Sequence, residues 1–296
     1  MIKRSFFKSR SLPYLLILPQ ILVTVTFFYW PAIQGVMQSF LLSDPFGRKS
    51  SFVWFYNYIE LFTDPLYLKS IGITFIFSIA TAAVSISLGL FIAAMANRAL
   101  KAKALVRTML IWPYAVAPAI SGIMWLFLLH PSYGIVAIAI KKGLGIDWNP
   151  VLYGTDAMIM IVMASAWKEV SYNFVFFVAG MQAIPKSLIE AAAIDGAGPF
   201  RRFWTITLPL LSPTFFFLTV MNIIYSFFET FGIIHTVTQG GPGGSTNILV
   251  YKVYQDGFVG LNLGASSAQS VVLMFLIIMI TFLQFKFVEK KVQYNG

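Results

Sequence analysis

The chain has 296 residues, 58% of them hydrophobic and 11% charged, with a mean hydropathy of +0.78, which excludes an ordinary soluble domain and predicts one bilayer domain over residues 1–296. Its formal charge of +10 argues for anionic lipid headgroups rather than nucleic acid, because Lys and Arg fall in short clusters at the ends of apolar runs. The absence of cysteine removes disulfides and thiolate sites, and two histidines, His130 and His235, are too few for a zinc cluster.

The N-terminal stretch carries Lys3, Arg4, Lys8 and Arg10 ahead of an apolar run, which imitates a secretory signal. Ser11 to Ser43 holds no charge and is too long for a signal core, so a retained first span is expected. A span needs about 20 apolar residues. Six stretches qualify, at 12–34, 70–97, 108–129, 157–183, 209–235 and 269–286, which predicts an all-α polytopic membrane protein with six transmembrane helices. Placing both termini in the cytoplasm gives inner segments fourteen Lys and Arg residues (in 3–10, 98–107, 186–202 and 286–291) against six outside: Arg48, Lys49, Lys69, Lys141, Lys142 and Lys252. That bias selects the orientation, since basic residues gather on cytoplasmic ends.

In the second span Thr81, Ser85, Gly89 and Ala93 recur every four residues and form a narrow face free of bulk. Small faces let helix backbones approach closely in lipid, so the stripe serves internal packing or contact with a second membrane subunit. Pro113 and Pro118 in the third span remove backbone donors and predict a kink or partial unwinding. Beyond it, Ile135 to Ile140 is too short to span and is expected to lie along the interface.

Span four places Lys168 and Glu169 about eleven residues, roughly 16 Å, from its outer end. Charges at that depth face protein or water, and each costs about 2.5 to 3.5 kcal/mol on insertion scales, which marks them as functional candidates. Lys168 shares a helical face with Ser165 and Tyr172, while Glu169 is followed four on by Asn173. In span five Thr219, Asn222, Ser226 and Glu229 recur at steps of three, four and three along one face. Two polar stripes on adjacent helices suggest a hydrated translocation path; a structural salt bridge of Lys168 with Glu229 is the alternative.

Between these spans lie residues 185–209, a polar, helix-prone stretch broken by glycine. Pro185 suits a first helical turn, Ser187 to Ile194 holds strong helix formers, Gly196 supplies a left-handed stop, and Pro199 restarts a helix. A cytoplasmic helical hairpin is expected. The later TVTQGGPGGST has glycines but no Lys in the G-x-x-x-x-G-K-[ST] pattern, and that pattern occurs nowhere in the chain, so any ATP-driven function needs a separate nucleotide-binding chain.

The hairpin motif SLIEAAAIDGAGPFRRF, with Glu190-Ala191-Ala192, Asp195-Gly196, Ile206 and Leu208-Pro209, resembles the EAA loop of bacterial ABC importer permeases. Further matches are LPYLLILPQ, WPYAVAPA at 112–119, WKEVSYNFVFF, GGP at 240–242 and AQSVVLMFL. The resemblance covers nearly the whole chain and implies a type I ABC importer permease fold in the bacterial inner membrane. It implies that Glu190, Ala191, Ala192, Asp195, Gly196, Ile206, Leu208 and Pro209 couple the chain to a dimer of cytoplasmic ATPase subunits, which bind the ATP and Mg. It also implies a second homologous permease, an extracytoplasmic substrate-binding protein, and no cofactor in this chain. The likeness is strongest to permeases for sn-glycerol-3-phosphate, with maltose-type or other sugars as the alternative substrate class. An ion-driven carrier or channel leaves the hairpin unexplained, and an intramembrane enzyme lacks a nucleophile–base pair or a metal cluster. The translocation residues on this reading are Ser165, Lys168, Glu169, Tyr172, Asn173, Asn222, Ser226 and Glu229.

Overall fold

A computed structural model describes residues 12–44, 50–97 and 103–289. Of the basic residues behind the topology expectation, Lys3, Arg4, Lys8, Arg10, Arg48, Lys49, Arg98, Lys101, Lys290 and Lys291 lie outside the described residues. The chain divides into two compact units, one drawn from Met1–Thr63 and Val253–Val272, the other from Asp64–Lys252 and Leu273–Gly296.

In the first unit, helix α1 (Leu12–Gln38) is long and apolar enough to cross a membrane. A short hairpin follows, β1 (Leu41–Ser43) pairing antiparallel with β2 (Ser50–Phe52) so that Leu41 faces Phe52. The hydropathy pattern gave no sign of these strands; an aromatic group of Phe40, Phe52, Phe55 and Tyr58 holds them, and α2 (Tyr56–Thr63) docks through Asn57, whose amide donates to the carbonyls of Ser39 and Leu41. α1 contains a wide turn at Val25–Tyr29, immediately before Trp30-Pro31. A second such turn at Phe203–Thr207 precedes Leu208-Pro209, and in both the proline ring pushes away the carbonyl four residues back and cannot bond to it.

The second unit is built on α3 (Pro65–Asn97), α4 (Lys103–Ala115), α5 (Pro118–Leu129), α6 (Ile135–Leu144), α7 (Gly154–Ala183), α8 (Lys186–Ile194), α9 (Pro199–Leu210), α10 (Ser212–Phe228) and α11 (Phe231–Val237). After a glycine-rich loop come α12 (Leu249–Tyr254), which runs on into a wide turn, and α13 (Leu263–Leu283), which belongs to the first unit as far as Val272 and to the second beyond it. Counting each bent pair once, the described residues hold six candidate spans: α1, α3 and α13 unbroken, and α4–α5, α7–α8 and α9–α10 bent. The expected kink at Pro113 and Pro118 is larger than a kink, since α4 and α5 diverge by 106° across Val116-Ala117. The expected fifth span, 209–235, is interrupted twice, by a 66° bend at Leu211 and by a break at Glu229-Thr230.

The core of this unit lies between α3, α7 and α10. Phe174 and Phe177 of α7 are buried against Ala82, Ile86 and Ala93 of α3 and Leu218 of α10. The Thr81, Ser85, Gly89 and Ala93 stripe is wholly buried there and serves internal packing: a β-carbon at Gly89 would come within 2.6 Å of Asn173 Cβ. In the loop before α12, Lys69 donates to the carbonyl of Gly243 and Thr246 donates to that of Gly241, which fixes the GGP segment by ordinary hydrogen bonds.

Candidate functional site

Two places bring together the residues singled out from the sequence, the hairpin of 185–209 and the middle of α7. In the hairpin, Pro185 sits one residue before the helix rather than in its first turn, with the extended ψ of a cap, because a proline's missing N–H is tolerated there as well. α8 then closes at Gly196, whose φ of +81° is left-handed. Ala197 N–H bonds to Ala192 C=O at 2.9 Å and Gly196 N–H to Ala193 C=O at 3.1 Å, the paired bonds of a Schellman stop that satisfy the orphan carbonyls of the last turn. Pro199 occupies the first position of α9, as expected. Arg202 donates from Nη1 to Ile189 C=O at 3.3 Å and so ties the two arms. A cavity of about 180 Å³ between the arms is lined by Met181, Ile189, Arg202 and Phe203.

The eight hairpin residues divide by environment. Glu190, Ala191, Asp195 and Gly196 are exposed, whereas Ala192, Ile206, Leu208 and Pro209 are partly buried and hold the arms in place. Sequence reasoning missed that Leu188, Ile194, Phe200 and Trp204 are exposed as well, Ile194 at 86% and Phe200 at 76%. Large apolar side chains displayed on a polar hairpin are the mark of a contact surface, and their signal was the interruption of a charged segment by bulky residues.

In α7, Lys168 and Glu169 are both 5% exposed. Lys168 Nζ donates to Tyr114 C=O at 3.2 Å and to Val116 C=O, and it lies 5.8 Å from the centre of the Tyr114 ring. Tyr172, one turn on, stacks on Tyr114 at 5.7 Å. Glu169 and Glu229 are the charged neighbours of Lys168, yet among the described residues no ion pair joins Lys168 to Glu229, which is exposed at the end of α10. The lysine thus meets a broken helix instead of a partner carboxylate. No reading of the lysine's own helix could supply Tyr114 and Val116, since they lie 54 and 52 residues away; the two prolines flanking them were the available sign.

Asn173 and Asn222 exchange amide hydrogen bonds across α7 and α10, at 2.7 and 3.2 Å, and Ser85 of α3 adds a third at 2.6 Å to Asn222 Oδ1. Asn173, Asn222, Ser226 and Ser165 are fully buried. The two expected polar stripes therefore divide. Asn173 and Asn222 join helices and Ser226 donates back to the Asn222 carbonyl of its own helix, while Tyr172 and Glu229 are accessible beside the buried Lys168 and Glu169. His130 stacks on Tyr133 at 3.9 Å, and no group of three His, Cys, Asp or Glu residues able to hold a metal occurs among the described residues.

Residues 85–294 match the family model described as "Binding-protein-dependent transport system inner membrane component". Over 293 residues the chain is 56% identical to the sn-glycerol-3-phosphate transport system permease protein UgpA of Rhizobium meliloti (strain 1021), covering 99% of this chain and 100% of that protein. It is 50% identical over 292 residues to the protein of the same name from Yersinia pestis bv. Antiqua (strain Antiqua), covering 99% of each. Its fold matches a chain in the crystal structure of the bacterial alginate ABC transporter in complex with an alginate pentasaccharide-bound periplasmic protein, with a TM-score of 0.81, 20% identity and 96% of both chains covered. A hairpin stopped at Gly196, a membrane-length helical array and near full-length identity coincide in one chain, which belongs to the family of inner-membrane permease components of binding-protein-dependent ABC importers.

Proposed function

We propose that this permease carries sn-glycerol-3-phosphate into the cytoplasm, and the single observation that carries the reading is 56% identity along the whole length of a permease of that name. Residues 1–296 act as one transmembrane domain, paired with a second, homologous permease. An extracytoplasmic binding protein delivers substrate, in line with the periplasmic protein bound to the alginate transporter. Two ATPase subunits bind ATP and Mg and dock on the hairpin of 185–209, with both termini on the same cytoplasmic side. Docking uses Glu190, Ala191 and Asp195 together with the displayed Ile194 and Phe200. Ala192, Gly196, Ile206, Leu208 and Pro209 set the angle at which that surface is presented.

The substrate path runs past Lys168, Glu169, Tyr172 and Glu229, supported by a buried cation beside two accessible polar groups. A phosphomonoester is a strong acceptor, and charge-assisted hydrogen bonds to an ammonium are about twice as strong as neutral ones. Ser165, Asn173, Asn222 and Ser226 line the same helices and hold their spacing. Reconstitution with the partner permease, the ATPase and the binding protein tests the reading. Uptake of labelled sn-glycerol-3-phosphate with none of maltose is expected, and uptake of maltose alone would replace it with the sugar alternative.

A further inference from the structure

The carbonyl of Tyr114 has lost its own donor. In an uninterrupted helix it would accept the N–H of residue 118, but residue 118 is proline and has none. The Val116 carbonyl lies one residue before the cap of α5, at Ala117, and so falls outside both helices. Ser121 N–H bonds to Ala117 C=O, which starts the next helix without using either group. Tyr114 is 52% exposed, but within a bilayer, where water is scarce, two orphan carbonyls are costly unless something donates to them.

Lys168 is that donor. It reaches both carbonyls from a neighbouring helix, which uses two of its three N–H donors, and its Nζ lies 5.8 Å from the Tyr114 ring on which Tyr172 stacks. On either side of the break the helices share one support, α7, where Ser121 of α5 donates to Ala164 C=O at 3.3 Å and Trp125 lies edge-on to Trp167 at 6.4 Å, and α5 has a second. α5 is pinned to α11, where Thr236 Oγ1 donates to Ala119 C=O at 3.3 Å and a β-carbon at Gly232 would meet Ala119 N at 3.1 Å. α4 packs on α7 alone of these two, with Trp112 edge-on to the same Trp167 at 6.4 Å.

We propose that Lys168 is a positioning residue that caps the broken end of α4, and that the anionic group of the substrate competes with the Tyr114 and Val116 carbonyls for its ammonium. An arriving phosphomonoester draws Nζ away, the carbonyls lose their cap, and the 106° bend opens toward a straighter helix in which the Val116 carbonyl accepts the N–H of Ile120. Substrate charge is thereby converted into helix movement at the site where it is sensed. The identity of the anion rests on the reading above; the cap itself does not.

The test uses the assembled transporter with this cysteine-free chain carrying Met109→Cys and Phe127→Cys, two exposed positions on opposite sides of the bend, each bearing a spin label. Backbone separation across these positions is about 16 Å in the bent form and about 27 Å in a straight helix. In the unliganded complex Lys168→Met should lengthen the distance and Lys168→Arg should keep it short. Pro118→Ala, which restores the missing N–H to Tyr114 without altering any charge, should also lengthen it. sn-Glycerol-3-phosphate with the binding protein should lengthen it in the parent chain, and glycerol should not. If both Lys168→Met and Pro118→Ala keep the short distance, the cap is refuted. If the parent chain imports sn-glycerol-3-phosphate with no change in distance, the competition is refuted. Failure to import that substrate counts against the proposed function, while the unliganded comparison still decides the cap.

Discussion

Gly196 shows how one backbone angle sets a surface. Its φ of +81° is open to glycine, while another residue incurs roughly 1 to 2 kcal/mol there and a β-branched one more. No atom lies within 4 Å of an added β-carbon, so the penalty of Gly196→Val is conformational rather than a clash. The variant should insert normally and lose most co-purified ATPase, as read by affinity purification from membranes; wild-type recovery would deny the hairpin its coupling role. On the proposed docking Glu190 accepts a charge-assisted hydrogen bond from a basic residue of the ATPase, so Glu190→Gln should weaken docking about tenfold. Ile194→Ser tests the apolar part of the surface by the same measurement, and unchanged docking in both variants would shift the contact elsewhere.

The spans themselves were readable as elements because hydropathy and length carry that information one residue at a time. The hairpin was readable for a local reason too: Gly196 and Pro199 act within a turn of their own positions. The 106° divergence at Val116 was not readable, since proline announces a break but its angle is set by what α4 and α5 pack against. The split of the polar stripes was hidden likewise. Asn173 and Asn222 obey helical periodicity equally well in a wet channel or a dry seam, and only the approach of α3, at Gly89 and Ser85, made theirs dry. That approach can be measured. Gly89→Ala overpacks the α3–α7 contact and should cost about 1 to 3 kcal/mol in reversible unfolding in micelles. Gly143→Ala in α6, with nothing within 4 Å of the added carbon, should leave stability almost unchanged. Equal effects at the two positions would mean that α3 and α7 are not in tight contact.

For the whole molecule, the proposed orientation, with both termini and the hairpin in the cytoplasm, rests on the asymmetry of Lys and Arg. Ala193→Cys, exposed on α8, should react with an impermeant thiol reagent only after the membrane is opened, and Lys142→Cys on α6 should react in intact spheroplasts. The reverse pattern would overturn the orientation. The two arms of the hairpin continue into the two helices clasped by the Asn173–Asn222 pair, α8 leading out of α7 and α9 leading into α10. In mechanical terms the hairpin is a lever whose two shanks are riveted together within the bilayer. If the ATPase docks as proposed, torque applied at the tip should not dissipate as slip between the shanks. On that proposal it should travel along α7 to Lys168, five residues and about 8 Å from the rivet. Pulling the rivet should disengage the clutch and leave the engine running. Asn222→Ala, a loss of about 1 kcal/mol at a polar contact between membrane helices, should yield complexes that hydrolyse ATP at near the parent rate but import several-fold less substrate per ATP. An unchanged ratio of import to hydrolysis would show that the stroke reaches the substrate by another linkage.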